Sequence, residues 1–458
     1  VEEARSYSSF GELESQECKA SGATLLKILY ERDGLGRLVA KSEERASGLT
    51  RFEYGYDQAG RLVLERRILP DGSSLLTQWS YDGNGNRVSE MRPDGTVVSG
   101  AYDDQDRILA YGASTFTHTA NGELLSHCQG SSCRHFDYDV FGNLRHVLLE
   151  NGIEVEYVID GRNRRVGTKV NGQLVQGFLY DDQLRIVAEL DGAQQVVAKF
   201  IYADGINVPE LMEKNGRTYR LLHDHLGSPR LVVDIATGEI AQELAYDAWG
   251  TITFDSNPGF QPFGFAGGLH DPHTRLIRFG ARDYDPQLGR WTLKDPAGFI
   301  DASVCGFGNQ FAYACLNPGF RADYLGLFTM STNCPKTEVE AAFSDACRSL
   351  QNPTCRQTLA KIVAPFKGSA LQCMEENCGH GSCLHFTCFS NRACGYACLG
   401  DCPDAPLFRC WVNINSKRCP DLSNTVFHEM LHVCGVPDST KADRRHEIAM
   451  VACRGIPY

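Results

Sequence analysis

The segment Phe427–His432 reads Phe-His-Glu-Met-Leu-His and contains the residue types most directly suited to chemistry. On a helix, His428 and His432 lie one turn apart on the same face and can bind one zinc ion together. Glu429 then stands beside the metal-bound water and can accept its proton. Zinc lowers the pKa of that water to about 7, which makes a nucleophile available at neutral pH. The pattern predicts a zinc-dependent hydrolase.

A third protein ligand completes such a zinc site, and the sequence offers two solutions. Gly435 ends the helix three residues after His432 and Asp438 follows, so the string resembles the HExxHxxGxxH/D pattern of metzincin-like proteases. A resemblance to the gluzincins instead takes the third ligand from the next segment, at Glu447 or His446. We favour Asp438 and keep the other two as alternatives.

Cysteine content and charge divide the 458 residues at the same place. Residues 328–458 hold 14 of the 19 cysteines, a density typical of small disulfide-linked domains. Lys and Arg number 32 against 45 Asp and Glu before residue 328, and 13 against 12 after it. The cysteines lack the Cys-x2-Cys pairs usual for structural zinc, so we favour disulfides over a second metal site. We expect a boundary near Leu327, followed by a domain suited to an oxidising compartment.

The overall composition argues against several classes of protein. The net charge of −12 disfavours nucleic acid as a partner, since phosphate binding requires a basic surface. No apolar run reaches the roughly 18 residues that a membrane-spanning helix needs. With 42% hydrophobic residues, the chain is expected to be globular rather than disordered.

The first 327 residues contain a repeated motif, Tyr-Asp-x-x-Gly-Arg/Asn-Leu. It is clearest at Tyr56–Leu62 and Tyr138–Leu144, and weaker copies have their Asp position at 8, 33, 82, 103, 119, 160 and 181. Alternating apolar residues between the copies, as in Gly152–Tyr157, are typical of β-strands. Asp and Gly suit tight turns, so the copies predict hairpins that stack into one continuous sheet. The alternative is an ordinary β-sandwich with coincidental Tyr-Asp pairs.

These copies resemble the YD repeats of the RHS family, and the segment after them resembles the RHS-associated core. The second resemblance is carried, in order, by Leu222–Arg230, Tyr246–Gly250, Phe263–Gly267, Arg278–Pro286, Gly289–Trp291, Asp295–Gly298 and Asp323–Leu327. It implies a mostly β fold, in which the hairpins spiral into a hollow β-cocoon. The domains implied are a YD-repeat shell over 1–218, a core with a self-cleavage site over 219–327, and a toxin over 328–458. We expect this last domain to be a small Cys-rich α+β domain of the zincin type.

Cores of this family cut themselves after the terminal Gly-Leu, which corresponds here to the Leu327–Phe328 bond. The resemblance implies a pair of carboxylates like that of an aspartic protease, at Asp295 and Asp323, with Arg282 as their neighbour. In such a pair one carboxylate activates water while the other supplies a proton. The family usually has Pro where this chain has Tyr324, and we expect this departure to slow the cleavage. The ordinary alternative role of these aspartates is turn capping.

The patterns together predict a polymorphic toxin component, in which a β-shell releases a C-terminal zinc metalloprotease by self-cleavage. The expected cofactor is Zn²⁺. The expected partners are the remainder of the shell, from upstream sequence or a B-type subunit, a protein substrate in a target cell, and an immunity protein. Such a protein is secreted or delivered to a target cell. The alternatives are a zinc hydrolase toxin with a non-peptide substrate and a surface adhesion protein with a non-catalytic Cys-rich tail.

An area estimate indicates that the shell portion is too small to enclose a folded cargo. The 131 residues after the boundary form a globule of roughly 18 Å radius. A sheet around it at about 26 Å has an area near 8,500 Å², whereas 327 strand residues cover at most about 5,300 Å². A repeat also begins at Tyr7 with no polar cap before it, although repeat arrays need caps. We therefore expect this chain to be one part of a larger shell.

Overall fold

A computed structural model describes residues 1–8, 12–203, 207–296 and 308–326, together with the backbone of strands at 330–331, 384–388, 395–397 and 410–414. The chain divides into two compact units, Val1–Thr332 and Asn333–Tyr458. Among the described residues, no helix is both long enough and apolar enough to cross a membrane.

The first unit is built on one antiparallel sheet of 24 strands. Each strand pairs with its neighbours in the chain, so successive strands are hairpins, as for β4 with β5 and β12 with β13. In order, β1 to β24 are Glu2–Tyr7, Leu13–Ala20, Ala23–Arg32, Leu38–Arg45, Gly48–Tyr56, Leu62–Ile68, Ser74–Tyr81, Arg87–Met91, Val97–Tyr102, Ile108–Tyr111, Ser114–His118, Leu124–Gln129, Ser132–Tyr138, Leu144–Leu148, Glu154–Ile159, Arg165–Val170, Gln173–Tyr180, Ile186–Asp191, Val196–Ile201, Leu211–Lys214, Arg217–His223, Pro229–Asp234, Ile240–Tyr246 and Ile252–Asp255. The predicted string of hairpins in one sheet is confirmed, and the sandwich alternative is wrong for this unit.

The motif's Asp position closes every predicted turn. At all nine predicted positions, from residue 8 to residue 181, the backbone amide donates to the carbonyl four residues later. The Asp57 carboxylate accepts hydrogen bonds from the Arg61 amide, at 3.0 Å, and from Arg61 Nε, at 2.7 Å. Gly60 has a φ of +80°, in the left-handed region where a β-carbon causes strain. The turn residues therefore determine where each strand ends.

Tyrosine and arginine link each turn to the next. The Tyr81 hydroxyl donates to the carbonyl of Leu62, in the preceding repeat, at 2.6 Å. Arg61 stacks over the Tyr81 ring, 5.0 Å from its centre, and its Nη1 donates to the Asp82 carbonyl at 2.8 Å. The same kind of hydroxyl hydrogen bond to the preceding repeat is made by Tyr56, Tyr102, Tyr180 and Tyr202. The Tyr-Asp pair thus joins neighbouring hairpins in addition to forming a turn.

The same turn continues into the segment that resembles the RHS-associated core. Asp224 and Asp247 each accept, through one carboxylate oxygen, hydrogen bonds from the amides two and four residues later. Turns without a Tyr-Asp pair close in the same way at Leu69, Arg92 and Leu149. The boundary predicted between residues 218 and 219 lies inside β21, and the sheet runs on to β24. Shell and core therefore share one sheet.

One face of the sheet is apolar and is covered by the segment that follows β24. Leu62 and Trp79 pack against Leu316 of that segment and against Trp249 in the turn between β23 and β24. Leu276 joins the apolar cluster of β9 to β15, and Phe263 joins that of β17 to β22. Near the start of the chain, β2 to β4 pack instead against β21 and β22. We call this apolar face the inner face, and residues 256–296 together with 308–326 the covering segment.

The covering segment has little regular structure. It contains a small sheet of β25 (Leu269–His270), β26 (Ile277–Phe279), β27 (Arg282–Asp285) and β28 (Arg290–Trp291). Two 3₁₀ helices span Phe265–Gly267 and Ala314–Leu316, and β29 (Arg321–Ala322) pairs with β30 (Met330–Ser331). In the second unit, β33 (Cys410–Ile414) runs parallel to β31 (Leu384–Cys388) and antiparallel to β32 (Gly395–Ala397).

Replacing Gly60 with alanine tests the turn geometry. Gly60 has positive φ and Gly34, in the preceding turn, does not, while a β-carbon added at either glycine would meet no heavy atom within 4 Å. We expect Gly60→Ala to lower the free energy of unfolding by about 1 kcal/mol because alanine is strained in the left-handed region. Gly34→Ala, the matched control, should leave it unchanged or slightly raised. Urea denaturation of the two variants measures this, and equal stabilities would contradict the turn assignment.

Candidate active site at the end of the covering segment

A buried arginine lies at the start of β27. The Arg282 side chain is only 1% exposed. Its guanidinium stacks over the Trp291 ring, 4.1 Å from the ring centre. Phe279, Tyr284 and Tyr313 pack with Trp291 in the surrounding aromatic cluster. Burying a guanidinium is costly unless its hydrogen bonds are satisfied, so the partners of Arg282 decide what this site can do.

Arg282 contacts both of the predicted aspartates. Its Nη2 lies 2.7 Å from Asp295 Oδ2 and 3.0 Å from Asp323 Oδ2. Both aspartates are buried. Because the two oxygens contact the same nitrogen, the carboxylates are near neighbours in a place that excludes most water. Two buried carboxylates so close together are the arrangement in which one can hold a proton while the other is ionised.

The same guanidinium also binds the backbone beside the predicted cleavage site. Arg282 Nε donates to the Gly326 carbonyl at 2.5 Å, and Nη1 donates to the Gln310 carbonyl at 3.2 Å. The Leu325 carbonyl accepts a hydrogen bond from the Ala281 amide at 2.8 Å. These contacts hold residues 325 and 326 against the turn between β26 and β27. One side chain therefore connects the carboxylate pair to the chain immediately before Leu327.

The close approach of these two backbone segments requires glycine on both sides. Gly280 and Gly326 have positive φ, at +43° and +64°. A β-carbon at Gly326 would lie 2.3 Å from the Phe279 carbonyl oxygen, and one at Gly280 would lie 2.3 Å from the Leu325 carbonyl oxygen. Neither distance is sterically possible, so both glycines are needed for residues 325 and 326 to dock beside Arg282.

A second buried ion cluster fixes β27 to the sheet. Asp283 Oδ1 lies 2.7 Å from Arg165 Nη2, and Asp283 Oδ2 lies 2.9 Å from Arg278 Nη1. Arg278 Nη2 also donates to the Asn143 side chain at 2.8 Å. All three charged side chains are buried. Since Asp283 follows Arg282 directly, this cluster sets the position of Arg282 relative to the inner face of the sheet.

Of the predicted site residues, the structure brings Arg282, Asp295 and Asp323 together. Turn capping alone does not describe the two aspartates, because both carboxylates contact Arg282. Outside the described residues lie Leu327, Phe328, His428, Glu429, His432, Asp438, His446 and Glu447. Within the described part of the chain, no three His, Cys, Asp or Glu side chains are grouped to hold a metal ion. The zinc site therefore stays a prediction.

Two contributors to the site were not predicted. Gln310 acts through its main-chain carbonyl, which accepts hydrogen bonds from Arg282 and from the Asp295 amide. No side-chain pattern signals such a role. Asp283 does carry a signal, since it stands next to Arg282 in the Arg278–Pro286 block. Its partner Arg278 lies in the same block, but its other partner, Arg165, comes from a distant part of the chain.

Comparison with known proteins identifies the first unit. Residues 1–304 match the Teneurin YD-shell family. The chain belongs to this family. The YD-repeat shell predicted from the Tyr-Asp copies is thereby confirmed, while the match ends before the HExxH segment of the C-terminal region.

Similar proteins are much longer than this YD-shell chain. Teneurin-3 of Danio rerio is 32% identical over 279 residues, which are 58% of this chain and 10% of that protein. Teneurin-4 of Mus musculus is 28% identical over 298 residues, covering 63% and 10%. Double-stranded DNA deaminase toxin A of Burkholderia cenocepacia (strain H111) is 28% identical over 323 residues, covering 62% and 21%. The chain thus spans about a tenth of these teneurins and about a fifth of the toxin.

Among solved structures, the YD-shell has a distant likeness to chains of Tc toxin complexes. The crystal structure of TcdB2-TccC3-Cdc42 aligns with a TM-score of 0.36 at 17% identity, covering 71% of this chain and 20% of that one. TcdB2-TccC3-TEV aligns with a TM-score of 0.38 at 16% identity, with the same coverage.

Replacing Arg282 with methionine tests the charge arrangement of the YD-shell. Methionine fills much of the same space but leaves Asp295 and Asp323 buried without that guanidinium. We expect the free energy of unfolding to fall by about 3–5 kcal/mol at about pH 8. The loss should be smaller at about pH 5, because protonation then removes the buried negative charge.

Thermal and urea unfolding at the two pH values measure the effect. Arg162→Met, at an exposed turn position, is the matched control and should change stability little. An Arg282→Met loss that is small, or equal at both pH values, would contradict the arrangement.

Proposed function

We propose that this chain is a YD-shell toxin component that cuts itself after Leu327 and releases a C-terminal zinc metalloprotease. The observation that carries the first step is the position of Arg282, which contacts both carboxylates and the Gly326 carbonyl. The similarity to a bacterial DNA deaminase toxin supports the toxin role. The spacing of His428, Glu429 and His432 supports the activity of the released domain.

The proposed cleavage is a hydrolysis carried out by the carboxylate pair. The ionised carboxylate takes a proton from water, whose oxygen forms a bond to the Leu327 carbonyl carbon. The other carboxyl group gives its proton to the Phe328 nitrogen as the C–N bond breaks. The products are a Leu327 carboxylate and a Phe328 amine. Arg282 is a positioning residue, because it orients both carboxylates and holds the chain one residue before the reacting bond.

Replacing Asp295 with asparagine tests this proposal. The amide keeps the shape of the side chain but can neither accept a proton from water nor supply one. We expect Asp295→Asn to leave the Leu327–Phe328 bond intact in the folded chain, while the unaltered chain yields a fragment that begins at Phe328. Intact mass spectrometry of the purified proteins measures this.

The matched control for that experiment is Asp104→Asn, at an exposed turn position. It should be cut as the unaltered chain is. Equal cutting of the Asp295→Asn and Asp104→Asn proteins would mean that an outside protease performs the cleavage, and would contradict self-cleavage.

In the released domain, His428 and His432 would hold zinc together with Asp438, or with Glu447 or His446 in its place. When bound, zinc supplies a water molecule that loses its proton near neutral pH. The Glu429 carboxylate accepts that proton and passes it to the amine that leaves the cut peptide. The histidines and the third ligand orient the site, while Glu429 carries the proton.

Zinc content and activity separate these roles. We expect Glu429→Gln to keep one zinc per chain while hydrolysis falls at least about 10³-fold, because the base is lost and the ligands remain. Asp438→Asn should lose zinc if Asp438 is the third ligand, whereas Glu447→Gln should then keep it. Elemental analysis and a protein-substrate assay measure the two properties. Full activity of Glu429→Gln would contradict the metalloprotease proposal.

The proposed setting is an oxidising one outside the producing cell. Cys128 and Cys133 form a disulfide across the β12–β13 hairpin, which is a bond typical of secreted proteins. The same setting suits the 14 cysteines after residue 327. Further partners under this proposal are the rest of the shell, a protein substrate in the target cell and an immunity protein.

A second candidate function is a surface adhesion protein with a non-catalytic Cys-rich tail. The observation that favours it is the family itself, since the similar proteins include several teneurins. Zinc content separates this candidate from the toxin, because a binding tail without the HExxH chemistry needs no metal. A zinc hydrolase with a non-peptide substrate would bind zinc but leave protein substrates uncut.

A further inference from the structure

A cavity of about 220 Å³ lies between the inner face of the sheet and the covering segment. Its walls come from three parts of the first unit. Strands β16 to β18 contribute Thr168, Gln176 and Glu189, and strands β23 and β24 contribute Gln242 and Asp255. The third wall is made by residues 259–263 and 270–273 of the covering segment. None of these residues belongs to the carboxylate site around Arg282.

Two buried oxygen atoms in the cavity wall lack a hydrogen-bond donor among the described residues. Glu189 is 7% exposed, and its Oε1 accepts a hydrogen bond from Gln176 Nε2 at 2.6 Å, whereas its Oε2 has no partner. Gln242 is 1% exposed and donates from Nε2 to Asp255 Oδ1 at 2.9 Å and to the Asn257 carbonyl at 3.0 Å. These two bonds fix the orientation of its amide and leave Oε1 without a donor.

Glu189 Oε2 and Gln242 Oε1 are both hydrogen-bond acceptors, so the partner that each lacks is an N–H or O–H donor. A buried acceptor left without a donor is unfavourable in a folded protein. Because both side chains form part of the cavity wall, a donor group inside the cavity is the partner that the geometry leaves room for. These two acceptor atoms therefore indicate a ligand that donates more than one hydrogen bond.

The charges around the cavity favour a cation. The titratable side chains in its described lining are Glu189, Asp255, His270, Asp271 and His273, and no lysine or arginine is among them. The nearby Lys214 ammonium donates a hydrogen bond to the Phe260 carbonyl at 2.7 Å. Burial raises the pKa of Glu189, and the hydrogen bond from Gln176 and the charge of Lys214 offset that rise only in part.

The lining of the cavity favours an organic cation over a metal ion. Within the described residues, no three His, Cys, Asp or Glu side chains converge closely enough to hold a metal. The volume also exceeds the roughly 150 Å³ that accommodates benzene in an engineered protein cavity. Ammonium and guanidinium groups carry several donors and no acceptor, which complements two orphaned acceptors. Phe263 in the wall supplies an aromatic surface of the kind that attracts such cations.

We propose that this cavity is a binding site for a small organic cation whose ammonium or guanidinium group donates to Glu189 and Gln242. The site is independent of the proposed cleavage and of the zinc domain. It lies between the sheet and the covering segment, so a bound cation would contact both.

Isothermal titration of the full chain with agmatine tests the proposal. Agmatine carries one guanidinium and one ammonium group, and butylurea is a neutral compound of similar length. We expect one saturable agmatine site per chain and none for butylurea. Glu189→Gln, which retains the Oε1 acceptor for Gln176, should weaken agmatine binding at least about tenfold, because a charged acceptor is lost. Glu213→Gln, an exposed position on β20, is the matched control and should bind agmatine as the unaltered chain does.

The comparison of agmatine with butylurea uses the unaltered chain. It therefore tests whether the site selects a cation even if Glu189→Gln fails to fold. A third titrant, acetylarginine amide, presents the same guanidinium as a peptide side chain. Binding of agmatine supports a site for a free cation. Binding of acetylarginine amide alone, equal binding of butylurea, equal affinity in Glu189→Gln or no saturable agmatine binding would each overturn the proposal.

Discussion

The first unit depends on the need to cover one apolar face of a single sheet. Hairpins added one after another produce a sheet whose inner face cannot be buried by any one hairpin. In this chain residues 256–296 and 308–326 cover much of that face, with Leu276, Phe263 and Leu316 each joining a different cluster of sheet residues. The covering segment has little regular structure of its own. Its conformation is therefore set by the sheet surface on which it packs. The positions of the candidate active-site residues follow from that conformation.

Buried ion pairs fix the position of the covering segment on the sheet. An apolar contact tolerates small shifts, whereas a buried ion pair strongly penalises the loss of either partner. Asp283 contacts Arg165 of β16 and Arg278 of β26, so it fixes the covering segment to the sheet. Arg282, the next residue, contacts the two aspartates and the Gly326 carbonyl. Asp283 thus anchors β27 to the sheet, and the adjacent Arg282 positions the two carboxylates.

The sequence predicted the repeats well because their turns are determined locally. An Asp carboxylate such as that of Asp33 accepts hydrogen bonds from the amides two and four residues ahead, and a glycine such as Gly60 supplies the positive φ. Turns at Leu69, Arg92 and Leu149 escaped prediction because they form without a Tyr-Asp pair. Asp295, Asp323 and Arg282 were identified through family resemblance, since nothing local in the sequence shows that they meet. The role of the Gln310 carbonyl and the pairing of Asp283 with Arg165 could not be predicted, because they depend on contacts between distant parts of the chain.

Under the proposed function, the carboxylate pair cuts the chain that Arg282 holds beside it. The most direct measurement is the rate of cleavage of the purified chain as a function of its concentration, with mass analysis of the new amino terminus. An intramolecular reaction predicts a first-order rate that does not change with concentration and a fragment that begins at Phe328. A rate that rises in proportion to concentration, or a fragment that begins at another residue, would contradict the claim.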